Sequence, residues 1–149
     1  MLKDLLQNKT FRGIINKGLE NKEILDIILF GSYIRGKEEP RDIDLLVLYA
    51  FKKDKDYSYA LRKSLEEKGF KVHIVDSTYH EIFTPEFLAR ESILIEGYSL
   101  KFNKFFSASL GFSSFVMFRY YLKDINNSNR MKFYYSLYGR GKSRGVLKT

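Results

Sequence analysis

The chain has 149 residues, of which 44% are hydrophobic and 30% charged, so it is long enough for one domain with a real core and is not disordered in composition. It holds no cysteine, which excludes disulfides and thiolate metal sites, and its apolar runs are far too short to span a bilayer. The formal net charge is +8.

That charge is unevenly placed. Residues 102–149 hold nine Lys/Arg and a single acid, Asp124, whereas residues 1–101 hold 17 of each sign. The last third also carries twelve of the 24 Phe and Tyr residues. A neutral body over 1–101 and a basic, aromatic-rich segment over 102–149 is the expected division. The N-terminus Met1-Leu2-Lys3-Asp4-Leu5 carries an early acid and no signal-peptide core, so a cytoplasmic protein without a membrane partner is expected.

Along the chain, Leu2, Leu5, Leu6, Ile14 and Ile15 recur at helical spacing and predict a helix over 2–19. The run Ile24 to Phe30 is short, rich in β-branched residues and closed by Gly31, which predicts a buried strand. Asp42 to Tyr49 reads as the next strand, and Tyr57 to Lys68 as a helix with Gly69 at its C-terminus. Phe70 to Val75 is a third strand. Ser77-Thr78 can cap a following helix, and Pro85 opens a helix over 86–96 that turns Phe87, Leu88, Ile93 and Leu94 inward. Tyr98-Ser99-Leu100 is a short last strand. The body is thus a small α/β domain. Beyond it, 112–122 is β-prone, and Met131, Tyr134, Tyr135 and Tyr138 follow a helical i, i+3, i+4, i+7 pattern that Gly139 stops. Residues 139–145 read as a flexible basic loop. The chain stops soon after Val146-Leu147, which leaves open either pairing with another subunit or a longer native chain.

The chemistry concentrates between the first two strands. Gly31-Ser32 ends the first, Arg35-Gly36 follows, and Asp42-Ile43-Asp44 opens the second, with nine residues between Ser32 and Asp42. Strand alternation places Asp42 and Asp44 on one face. Two close carboxylates repel unless a cation lies between them, and Mg²⁺ takes one or two carboxylates plus phosphate oxygens and waters. Two such ions can clamp the attacking and leaving oxygens of a phosphoryl transfer. Gly31 lets a phosphate approach the backbone, Ser32 adds a hydroxyl and a turn N–H, and Arg35 and Lys37 are nearby cations. Gly-Ser or Asp-x-Asp alone is common on surfaces; the order of the parts is what is specific.

That order resembles the minimal nucleotidyltransferases of the DNA polymerase beta-like superfamily, whose pattern of Gly-Ser, Arg-Gly and Asp-x-Asp is matched by Gly31-Ser32, Arg35-Gly36 and Asp42/Asp44. The stretch Ile93 to Leu100 is similar to the end of those small domains, so the resemblance covers roughly 10–101. It implies an α/β (α+β) fold with a small mixed β-sheet flanked by helices. It also implies Mg²⁺, an NTP donor and transfer of a nucleoside monophosphate to an acceptor hydroxyl. Gly31, Ser32 and Arg35 would bind the nucleotide, and Asp42 and Asp44 would be catalytic and bind the metals. The superfamily usually adds a third acid on a later strand, where this chain has His73. Asp76, three residues on, is turned to the opposite face by strand alternation. His73 has three readings: a general base, a structural residue, or the mark of a degenerate site.

In the basic segment, charges suit phosphates and rings suit bases, as in single-strand binding. Arg140, Lys142 and Arg144 are the expected nucleic-acid contacts. Arg119 and Arg130 are further charges, and Phe118, Tyr120, Tyr121 and Tyr138 further rings. Gly141-Lys142-Ser143 is not a Walker A loop, because Ser136 stands where that motif needs glycine. The leading expectation is an RNA or DNA acceptor. The alternatives are AMP transfer to a protein partner, as in toxin–antitoxin pairs, and a degenerate nucleic-acid-binding module; a homo-oligomer is open to each.

Overall fold

The computed structural model describes residues 2–36, 40–113, 115, 117, 119–141 and 143–146. The chain divides into two units, Met1–Ser114 and Phe115–Thr149. Lys37, Phe118 and Lys142 lie outside the described residues.

The first unit opens with two helices, α1 (Leu2–Gln7) and α2 (Lys9–Gly18), where the spacing predicts one. Asn8 makes the break. Its side chain accepts the Phe11 N–H at 3.0 Å, which caps α2 and diverts the backbone from the preceding turn. Strand β1 (Ile24–Phe30) follows, then a 3₁₀ turn at Gly31–Tyr33, β2 (Ile43–Tyr49), α3 (Lys55–Glu66) and β3 (Val72–Thr78). A second 3₁₀ turn at Glu81–Phe83 has the reciprocal cap that Thr78 permits: the Thr78 hydroxyl accepts the Glu81 N–H, and the Glu81 carboxylate accepts the Thr78 N–H at 3.0 Å. Helix α4 (Arg90–Glu96), β4 (Tyr98–Ser99), β5 (Lys104–Phe105) and α5 (Phe106–Ser109) complete the unit. Helix α4 starts later than Pro85 suggests, because residues 84–90 form successive tight turns, with Phe87 N–H to Thr84 O at 3.2 Å and Arg90 N–H to Phe87 O at 3.0 Å. Leu88 falls in those turns and is 98% exposed rather than inward.

The five strands form one mixed sheet in the order β3-β2-β1-β4-β5, with β2 and β3 parallel and the other pairs antiparallel. Helices cover both faces. Phe11 and Ile15 of α2 and Leu61 and Leu65 of α3 pack with Ile27, Leu29, Leu45 and Val47 on one face. Ile93 of α4, Phe106 and Ile82 pack with Ile28, Phe30, Leu46 and Leu48 on the other. An irregularity in β1 between Ile24 and Asp26 shifts the alternation, which is why Ile24 shares a face with Ile27 and Leu29. With β1 and β2 covered on both sides, their sequences are near-continuous apolar runs rather than alternating ones. Gly18 closes α2 against α3. The Tyr57 hydroxyl donates to its carbonyl at 2.7 Å, and an added Cβ there would meet that hydroxyl at 2.7 Å.

The second unit contains α6 (Asn127–Tyr138), capped by Asn126, whose side chain accepts the Asn129 N–H at 2.9 Å. Gly139 stops it with φ +85°, a left-handed value that suits glycine. Within 139–145, where the sequence predicts a loop, β6 (Gly139–Arg140) and β7 (Ser143–Arg144) pair as a short hairpin. The described residues of 112–122 form no strand. Arg130 braces the turn before α6, donating to Ile125 O at 2.7 Å and to Lys123 O at 3.0 Å.

Phe11 is fully buried and meets Phe70 edge to face at 5.5 Å. Phe11→Ala should cost about 3–5 kcal/mol. Urea unfolding is expected to show a lower midpoint with an unchanged slope.

Candidate active site

The candidate site lies where β1 ends and β2 begins. Antiparallel pairing sets Phe30 opposite Asp44, so the residue after Phe30 falls over the Asp44 side chain. That residue is Gly31, with φ +75°. A Cβ on Gly31 would collide with the Asp44 carboxylate, in direct contact with Oδ2. Both its backbone angle and this close approach therefore require glycine. The chain then closes a tight turn, with the Arg35 N–H donating to Gly31 O at 3.2 Å. Ser32 is in the first turn after the strand, where backbone N–H groups have no partner one turn back.

Asp44 is on the face of the sheet shared with Leu46 and Leu48, and is partly exposed. Asp42 stands just before β2 and is half-buried. His73 is the in-register partner of Asp44 across the parallel β2–β3 pair, and its Nδ1 lies 3.4 Å from Asp44 Oδ1. The structure thus brings Gly31, Asp44 and His73 together.

Arg35 is turned to a different partner. Its guanidinium donates to the Glu96 carboxylate at the end of α4, at 3.2 Å, and the arginine side chain remains 59% exposed. This contact links residues 61 positions apart, and no local pattern signals it.

Asp76 faces the opposite side of β3 from His73, toward α3. Its carboxylate accepts a short hydrogen bond from the Ser58 hydroxyl. Ser58 in turn lies 2.7 Å from the Tyr49 hydroxyl, which donates to Asp54 O at 2.7 Å. Burial pushes the Tyr49 hydroxyl up to about 12. Burial also raises the Asp76 carboxyl above its ordinary value, and Ser58, Lys53 and Lys55 offset part of that. This network braces α3 against the sheet, away from Asp44. It was not visible in the sequence, because its members sit on three separate elements.

Among the described residues, no group of three or more His, Asp or Glu side chains is arranged to hold a metal ion. Among the described residues, Asp42 and Asp44 offer carboxylate oxygens where β2 begins, a pair that suits Mg²⁺ completed by phosphate and water but not an all-protein cage. In the second unit, Arg140 and Arg144 lie on the β6–β7 hairpin and are exposed.

The sequence profile of the family described as Polymerase beta, Nucleotidyltransferase matches residues 13–99. The chain belongs to this family. The match spans β1, the Gly31 turn, β2, β3 and α4, so the whole candidate site lies inside it. Nucleotidyltransferases of this fold generally use a divalent metal. Solved structures to which the chain is similar include a MntA-HpeT toxin–antitoxin mutant (23% identity over 60% of this chain and 70% of that one, TM-score 0.46). Another is a toxin–antitoxin with AMP-PNP (26% identity, 60% and 71%, TM-score 0.46). A third is a tri-AMPylated HEPN toxin of Shewanella oneidensis with its MNT antitoxin (23% identity, 67% and 71%, TM-score 0.42). No curated protein matches the sequence. No helix among the described residues is long and apolar enough to cross a membrane.

The nucleotidyltransferase's Asp76 gives a pH prediction. A carboxyl whose folded value is raised contributes stability that is complete below its unfolded value near 3.8 and is lost as pH rises through the folded value. Wild type should therefore lose stability relative to Asp76→Asn as pH rises above that unfolded value. Chemical denaturation at a series of rising pH values checks the sign.

Proposed function

We propose that this nucleotidyltransferase is Mg²⁺-dependent and moves a nucleoside monophosphate from an NTP to an acceptor hydroxyl on nucleic acid. The observation that supports the catalytic half is the close approach of Gly31 to Asp44. A backbone turn that can face a triphosphate and a carboxylate that can hold its cation are fixed to one another by a single strand register.

Asp42 and Asp44 would hold the metal, one ion or two. When bound, Mg²⁺ supplies positive charge beside the phosphates. Gly31 leaves room for the Asp44 carboxylate and turns the chain so that a phosphate can meet the backbone beyond it. The Ser32 hydroxyl and turn N–H groups donate to its oxygens. Arg35 is long enough to pair with either Glu96 or a phosphate. The acceptor oxygen bonds to the α-phosphorus, pyrophosphate leaves, and the hydroxyl proton passes to water. His73, not a third carboxylate, fills the position in register with Asp44, and imidazole is a poor Mg²⁺ ligand. His73 is therefore assigned no essential role. The nucleic-acid acceptor is supported by the charge of residues 102–149, nine basic residues against one acid.

Asp42→Asn and Asp44→Asn should each lower transfer from an α-labelled NTP by at least about 100-fold. His73→Ala should lower it by less than about tenfold. Initial rates with RNA, DNA and polypeptide acceptors measure this. Turnover by both aspartate variants at the wild-type rate contradicts the assignment, and label found on polypeptide alone assigns a protein acceptor instead.

A further inference from the structure

Helix α6 has no buried residue, although it carries Met131, Phe133, Tyr134, Tyr135, Leu137 and Tyr138. An uncovered helix of this length is marginal in water, since most helical stability comes from packing. Met131, Tyr134 and Tyr138 are each about half exposed. Tyr134 and Tyr138, one turn apart, pack ring against ring with centroids 4.8 Å apart at 36°, and the part of each ring turned from the other supplies its exposed surface. They line a shallow apolar groove of about 400 Å³ with Met131 and Leu137, and Arg130 stands at its edge.

The segment that carries this face is strongly basic. Residues 115–149 contain eight Lys/Arg and only Asp124 as an acid. The hairpin leads directly out of α6, and the Val146 N–H donates to Ser136 O at 2.9 Å, so Arg140 and Arg144 are held beside the helix end. Arg140 lies over the Tyr135 ring at 4.9 Å, which already shows a planar cation against an aromatic face. A second copy of this unit would bring like charges together. A polyanion with flat apolar groups matches both the charge and the rings, and single-stranded nucleic acid has both.

We propose that the α6 face and the β6–β7 hairpin form a docking surface for single-stranded nucleic acid, with Tyr134 and Tyr138 stacking on bases and Arg140 and Arg144 on phosphates. Duplex is disfavoured because its bases are already stacked and cannot meet the tyrosine faces. The inference rests on the nucleic-acid acceptor reading and narrows it to an unpaired strand.

The test is fluorescence anisotropy with the full chain and a labelled oligothymidylate of about 20 nucleotides, longer than one typical binding site. A duplex of the same length and polyglutamate serve as competitors. Binding should favour the single strand. Tyr134→Leu and Tyr138→Leu, which keep a helix-forming apolar side chain but remove the ring, should each weaken it at least about fivefold. Arg140→Gln with Arg144→Gln should reduce the slope of log K against log salt by about 1.4. Circular dichroism on every variant confirms the helix, and Tyr134→Phe should bind within about twofold of wild type, since stacking is retained. Asp44→Asn should bind as wild type does, so a failed transfer reaction and a failed docking surface are separate results. Equal affinity for duplex, affinity unchanged in the leucine variants, or displacement by polyglutamate as effective as by oligonucleotide overturns the proposal. The last of these would assign an acidic protein.

Discussion

The antiparallel register of β1 on β2 is the constraint on which the site depends. Setting Phe30 opposite Asp44 brings the chain's exit from β1 directly over a carboxylate. Only a residue without a side chain can occupy the next position, and only with a left-handed φ can the chain turn away at once. A one-residue slip would turn every side chain of β2 to the other face, moving Asp44 to the side covered by α2 and α3 and breaking the turn. The apolar residues that follow Asp44 hold that register. Leu45, Val47 and Tyr49 are committed to one core, and Leu46 and Leu48 to the other.

Double-sided burial also decides where charge is permitted. The centre of β2 is closed to solvent on both faces, so a carboxylate that must reach a cation has to stand at the strand's end. Asp44 does, and Asp42 precedes the strand. Asp76, in the middle of the neighbouring strand, instead needs the Ser58 hydroxyl, and its carboxyl is shifted upward by burial. Two acids on adjacent strands thus have opposite environments. One is partly open beside a glycine turn and an exposed imidazole, the other sits under a helix.

Much of this was legible in the residues. The two apolar runs bounded by Gly31 and Asp42 marked β1 and β2 because burial on both faces leaves a continuous hydrophobic signature. The fold family followed from the order of Gly-Ser, Arg-Gly and Asp-x-Asp, and alternation correctly separated Asp76 from His73. Three things were not legible. Asn8 broke a helix that periodicity drew as one, because capping is a side-chain choice within an unchanged apolar pattern. Leu88 was placed inward by a spacing that holds only if the helix has already begun. The Arg35–Glu96 pair depends on α4 returning to the turn, which only tertiary packing provides.

The central claim is that Asp44, held under Gly31, provides the cation site at which a nucleotide is bound. Titration of Mn²⁺, an oxygen-seeking and spin-active substitute for Mg²⁺, in the presence of a non-hydrolysable NTP tests it most directly, read by electron paramagnetic resonance. Wild type and Asp76→Asn should bind the ion alike, and Asp44→Asn should bind it at least about tenfold more weakly. Undiminished Mn²⁺ binding by Asp44→Asn would contradict the account.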